Sequence, residues 1–79
     1  MTSTRGPALT VSPRAARQLR NLEPADAATI LDTVRDRSFT AGASLVDVTP
    51  SGTAYQCFAA RHRDGSWVLL AVTLRPRGP

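Results

Sequence analysis

The chain has 79 residues, ten arginines, no lysine and six carboxylates, for a net charge of +4. That length holds one domain with a thin core, since chains of this size bury only about 60% of the surface they expose when unfolded. With 42% hydrophobic and 20% charged residues the chain is too apolar for general disorder, and its one cysteine excludes an internal disulfide framework. In chain order, Met1 to Pro7 is rich in Thr, Ser, Gly and Pro and reads as a disordered N-terminal tail (1–7) ahead of one domain over 8–77. Ala8 to Val11 alternates as a short first strand. Ser12 as N-cap and Pro13 at the first helical position then start a helix to about Leu22, with Ala15, Leu19 and Leu22 as its buried stripe. Glu23-Pro24 breaks it and opens a second helix, on which Ala27, Ile30, Leu31 and Val34 follow the i, i+3, i+4, i+7 spacing up to Arg37. Ser38 to Ala43 reads as a loop.

The remainder reads as three strands: Ser44 to Val48, Ala54 to Arg63, and Ser66 to Arg75. Thr49-Pro50-Ser51-Gly52 joins the first two, and Asp64-Gly65 is a hairpin signal between the others. Counting outward from a two-residue loop at Asp64-Gly65 sets Arg61 against Val68, His62 against Trp67, Phe58 against Ala71 and Gln56 against Thr73. One face then carries Tyr55, Cys57 and Ala59 with Val68, Leu70, Val72 and Leu74, and is expected to receive the helices. The other carries Gln56, Phe58, Ala60 and His62 with Trp67, Leu69, Ala71, Thr73 and Arg75. The expected fold is therefore α+β, two N-terminal amphipathic helices on an antiparallel sheet of about four strands.

Charge is segregated along the chain: residues 1–23 carry +3, 24–48 carry −2 and 49–79 carry +3. Basic ends around an acidic middle point to an anionic partner. A single histidine, His62, and a single cysteine, Cys57, on opposite faces of one strand exclude a metal site or a nucleophilic triad, and no glycine-rich phosphate loop is present. No cofactor is expected. Neither a leader nor a membrane span is expected, because the longest apolar run, Trp67 to Val72, falls far short of the roughly 20 residues that crossing a bilayer requires. A reduced, cytoplasmic setting fits one unpaired cysteine. Arg61-x-Arg63 and Arg75-x-Arg77 close the last two strands, where alternation lets each pair present two guanidinium groups to one phosphate track. Trp67 and Phe58 on the mixed face offer rings on which a base can stack.

The order strand, two helices, three-strand meander, together with Leu9-Thr10-Val11-Ser12-Pro13-Arg14-Ala15-Ala16-Arg17-Gln18-Leu19 and the Pro24-to-Val34 helix, resembles the RelE/ParE superfamily of bacterial type II toxin–antitoxin toxins. Thr53-Ala54-Tyr55-Gln56-Cys57-Phe58 is similar to that family's Gly-Asp-Tyr-Arg-Val segment, and Leu70 to Arg77 to its terminal strand. The resemblance implies a toxin held by an acidic antitoxin. The toxin acts either as a metal-independent endoribonuclease on RNA at the ribosome or as a poison of gyrase. The family's distal arginine is matched by Arg75 or Arg77, to which catalysis is assigned; with the strand-end and mixed-face residues above, Arg61, Arg63, Gln56, Trp67 and His62 make the expected partner or nucleic-acid-binding set. Three positions depart from the pattern: Gln56 stands where the family has an arginine, and Leu45 and Asp47 correspond to the basic residues of its preceding strand. With the Thr49–Gly52 turn joining neighbouring strands, Asp47 is expected near Ala54 and Arg75, offsetting a cation rather than adding one. The rival expectation is a non-catalytic relative serving as an interaction module or nucleic-acid-binding regulator. A homodimer is compatible with either reading.

Overall fold

The computed structural model describes residues 9–75. It has the order β1 (Leu9–Val11), α1 (Pro13–Arg20), α2 (Pro24–Ala41), β2 (Leu45–Val48), β3 (Tyr55–Arg61) and β4 (Trp67–Leu74). The expected tail at 1–7 and Arg77 lie outside the described residues.

Local chemistry sets the helix ends. Ser12 is extended and its hydroxyl accepts the Ala15 N–H at 3.1 Å, with Pro13 opening the helix. α1 ends at Arg20, two residues short of the expected Leu22. Its last turn tightens into i→i+3 bonds, Asn21 N–H to the Gln18 carbonyl and Leu22 N–H to the Leu19 carbonyl. The tightening precedes Glu23, which the following proline holds extended at ψ 139°. α2 runs four residues past its expected end at Arg37. Ser38 falls four after Val34 and continues the buried stripe, and its hydroxyl is satisfied by the Ala43 carbonyl at 3.1 Å. The helix closes on Gly42 at φ 65°, whose N–H reaches the Ser38 carbonyl at 2.9 Å; a side chain at that angle would be strained.

The sheet order is β1-β4-β3-β2. β2, β3 and β4 alternate in direction, but β1 lies parallel to β4, so the sheet is mixed rather than antiparallel. The helical hairpin returns the chain so that β2 starts in the direction of β1, and two antiparallel steps then bring β4 alongside in that same direction. Both helices cover one face. Ala15, Leu19, Ile30 and Val34 from the helices meet Val46, Val48, Cys57, Ala59, Trp67, Leu69 and Val72 from the sheet in a single buried cluster. Ser51 of the β2–β3 turn donates to the Asp26 carboxylate at 2.5 Å, tying that turn to the first turn of α2.

The β3–β4 hairpin departs from the expected register in two places. His62 N–H bonds to the Ser66 carbonyl at 2.8 Å and Gly65 N–H to the His62 carbonyl at 3.1 Å, so the loop is three residues, Arg63-Asp64-Gly65. Gly65 takes φ 91°, the left-handed position that ends such loops. The extra loop residue moves Arg61 opposite Trp67 and Ala60 opposite Val68. A β-bulge then restores the expected pairing, with Phe58 opposite Ala71 and Gln56 opposite Thr73. Leu70 is the additional residue, and both Leu70 and Ala71 lie between the buried Leu69 and Val72. Trp67 and Leu69 therefore join Val72 under the helices, at 4% and 0% exposure, while Val68 and Leu70 turn to the open face.

The bulge is held from α1. β1 ends opposite Leu69, so β4 beyond that point has no neighbouring strand on this edge. Ser12 N–H takes the Leu69 carbonyl at 2.9 Å, the Ser12 hydroxyl donates to the Leu70 carbonyl at 2.8 Å, and the Gln18 side-chain oxygen accepts the Val72 N–H at 2.7 Å. Three main-chain groups of β4 thus find partners in the N-cap of α1 and in Gln18 of its second turn.

Candidate functional site

With both helices on one side, the other face of the sheet is open. Register places its side chains in rows. Thr10, Val68 and Ala60 form one row, Leu45, Phe58, Ala71 and the bulge residue Leu70 the next, and Asp47, Gln56 and Thr73 the third. Arg75 follows on the same side, its N–H bonded to the Ala54 carbonyl at 2.9 Å. The Arg75 guanidinium meets the Asp47 carboxylate at 3.4 Å across β3, both side chains about half exposed. Asp47 pairs in register with Gln56 rather than lying beside Ala54, because the β2–β3 connection spans six residues. The ion pair with Arg75 forms all the same. Where the resemblance led one to expect cations, Gln56 thus presents an amide, Leu45 an alkyl chain and Asp47 a carboxylate, which pairs with the arginine beside it.

The other assigned residues sit at the far end of the sheet. β3 stops at Arg61, so Arg63 lies in the hairpin loop and the strand alternation that would align the two arginines does not reach it. His62, Arg63, Asp64 and Ser66 line a shallow depression of about 620 Å³. Asp64 accepts both the Ser66 hydroxyl at 2.6 Å and its N–H at 2.9 Å, which hold this fully exposed carboxyl below its ordinary range. His62 bonds to Ser66 rather than facing Trp67. The length of β4, eight residues or roughly 26 Å, separates this end from Arg75. The structure does not gather Arg61, Arg63 and Arg75 into one cluster.

Trp67, expected on the open face as a stacking platform, is part of the core and has no ring face to offer a base. Cys57 is buried beneath the helices. Burial first, and the nearby Asp47 carboxylate second, push its thiol up to about 11, so it is neither ionised nor nucleophilic at neutral pH. Among the described residues no three metal-ligating side chains come together, and no helix is long and apolar enough to cross a membrane.

Two surfaces carry what the assigned residues do not. Arg14, Arg17 and Arg20 are all exposed on α1, an eight-residue helix without an acidic residue. Arg14 sits in its first turn, where the helix dipole disfavours a cation. The second surface is the apolar row of the open face, Leu45, Phe58 and Leu70 at 53, 39 and 44% exposure. The charge count pointed toward the first; the second depends on a bulge for which the sequence carries no signal. No protein-family model matches the chain, and no curated protein matches it in sequence.

Proposed function

We propose that this protein is a RelE/ParE-like toxin component of a type II toxin–antitoxin pair that acts by holding its target rather than by cutting RNA. The order strand, helical hairpin, three-strand meander, with both helices on one face, supports the family reading. The observation that carries binding over cleavage is the Asp47–Arg75 pair at 3.4 Å, with Gln56 beside it. Cleaving a phosphodiester without a metal or a histidine needs several cations converging on one phosphate and its neighbouring hydroxyl. Among the described residues the open face carries Arg75, paired with Asp47, while Arg61 and Arg63 stand roughly 26 Å away. An acidic antitoxin finds its complement instead in Arg14, Arg17 and Arg20 on α1 and in Arg61 and Arg63 at the hairpin end, all exposed. A non-catalytic interaction module is the second reading, favoured by the apolar open face.

Induced expression tests the proposal. The expected result is growth arrest with intact cellular RNA, relieved by co-expression of a small acidic protein encoded beside the gene. Normal growth while the folded chain accumulates overturns the toxin reading in favour of the interaction module. Arrest with RNA cleavage that Arg75→Ala abolishes overturns the binding mechanism.

A further inference from the structure

Among the described residues the open face of the sheet is apolar at its centre and carries no net charge, and we propose that two copies of this chain meet through it, sheet against sheet. The inference does not depend on the toxin reading. It starts from the distribution of charge. Two copies of a protein with net charge +4 repel each other unless the surfaces that meet are neutral. Among the described residues, Arg14, Arg17, Arg20, Arg35 and Arg37 lie on the helices, on the opposite side of the sheet, and Arg61 and Arg63 lie at its hairpin end. Only Asp47 and Arg75 reach the open face, and they cancel at 3.4 Å. An acidic partner finds no free cation there, whereas a second copy meets no repulsion.

The apolar content suits the same occupant. Leu45, Phe58 and Ala71 run across three adjacent strands, and the bulge adds Leu70 to that row. Bulges re-aim side chains, and this one places an extra leucine on the face that the chain's own helices do not cover. Around the row lie small or neutral groups: Val68, Ala60 and Thr10 on one side, Gln56 and Thr73 on the other. A two-fold axis near Phe58 sets the apolar row of each copy against that of the other, with the two sheets about 10 Å apart. The strands hold 22 residues, which at about 3.3 Å by 4.8 Å each make roughly 350 Å² of flat face per copy. Once side-chain relief is included, a pair covers on the order of 1,000 Å², the lower edge of specific association. A face of that size belongs to weak, transient association, so the test needs concentrations well into the micromolar range.

Sedimentation equilibrium of the full chain, from about 10 to 300 µM, tests this. The expected mass climbs from 8.4 kDa towards twice that value. Leu70→Asp, exposed in the single copy, should stay at the lower mass with an unchanged far-UV spectrum, its dissociation constant raised at least about tenfold. Ala28→Asp, which adds the same charge on the exposed side of α2, should leave association unchanged. If Leu70→Asp disturbs the fold, Leu45→Asp on the edge strand makes the same test. Wild-type amide shifts on dilution should be confined to the open-face rows. A wild-type mass of 8.4 kDa at every concentration overturns the proposal, as does a dimer that survives both substitutions. If the single copy instead shows open-face shifts on removal of residues 1–7, the face belongs to the chain's own N-terminal segment. If it shows none, the face belongs to a foreign partner.

Discussion

Gln18→Leu should cost this domain about 2 kcal/mol, through one hydrogen bond that lies outside both helix and strand. The Gln18 side-chain oxygen accepts the Val72 N–H at 2.7 Å, and Val72 is 5% exposed. Leucine and glutamine have nearly equal helix propensity and similar length, so α1 itself is not weakened. What changes is the N–H, which follows the bulge on an edge with no neighbouring strand and beneath a helix that keeps water away. Leaving such a donor unpaired costs about 1 to 3 kcal/mol. In a domain of this size each kcal/mol lowers the melting temperature by about 4 to 8 °C, so a fall of roughly 8 to 16 °C is expected. Gln18→Glu provides the control. A carboxylate still accepts, and Arg14 one turn earlier stabilises it, so the loss should stay below about 0.5 kcal/mol. Thermal melts followed by circular dichroism measure all three proteins, and Val72 amide exchange should quicken in the leucine variant alone. If Gln18→Leu melts within about 2 °C of the wild type, or if Gln18→Glu falls as far, α1 does not hold the bulge.

Trp67→Ala removes a core side chain at about 3 to 5 kcal/mol, most of what a 79-residue domain has, and should leave the chain largely unfolded by far-UV circular dichroism; a folded variant would contradict the buried placement. The Cys57 thiol is raised from 9.0 to about 11 in the folded state, so it stays protonated while the unfolded thiol ionises. Stability is fully present below pH 9 and falls by about 2 to 3 kcal/mol through pH 11. Urea midpoints should show that loss in the wild type and not in Cys57→Ala; parallel curves for the two would refute it. Ser66→Ala removes the largest of the influences that depress Asp64, so the Asp64 carboxyl should titrate closer to its ordinary value by carbon NMR. The depressed value means that the stabilisation it brings is present above the ordinary carboxyl value and is lost as pH falls from there through the depressed one. An unmoved titration would place the cause elsewhere.

The helices were legible because each signal in them is local. Ser12-Pro13, Glu23-Pro24 and the Ala27-to-Val34 spacing each name one position on one helix, and tertiary packing agrees with them. The α2 end was misread because a serine at the next stripe position looks like a loop residue, and only the Ala43 carbonyl makes its burial tolerable. The strand faces were legible in part. Phe58–Ala71 and Gln56–Thr73 pair as counting predicts, yet Trp67 and Leu69 lie on the opposite side from the one expected. Asp64-Gly65 suits both a two-residue turn and a three-residue loop with the glycine last, and the choice shifts everything before the bulge by one residue. A period of two converts that single residue into a change of face.

That change of face is also a change of chemistry. In the expected register the open face holds Trp67, Leu69, His62 and Arg75, which is a plausible nucleic-acid platform. In the structure Trp67 and Leu69 go inside, His62 pairs with Ser66 at the base of the hairpin loop, and Val68 and Leu70 come out. Trp67 and His62 give way to aliphatic groups, and Arg75 is matched by Asp47. Among the described residues the basic charge gathers on α1 and the hairpin end, around the rim and back of the sheet rather than on its exposed centre. An anionic partner and a second copy of the chain need not compete for the same surface, because repulsion keeps the copies off the first and neutrality gives an acidic chain no hold on the second.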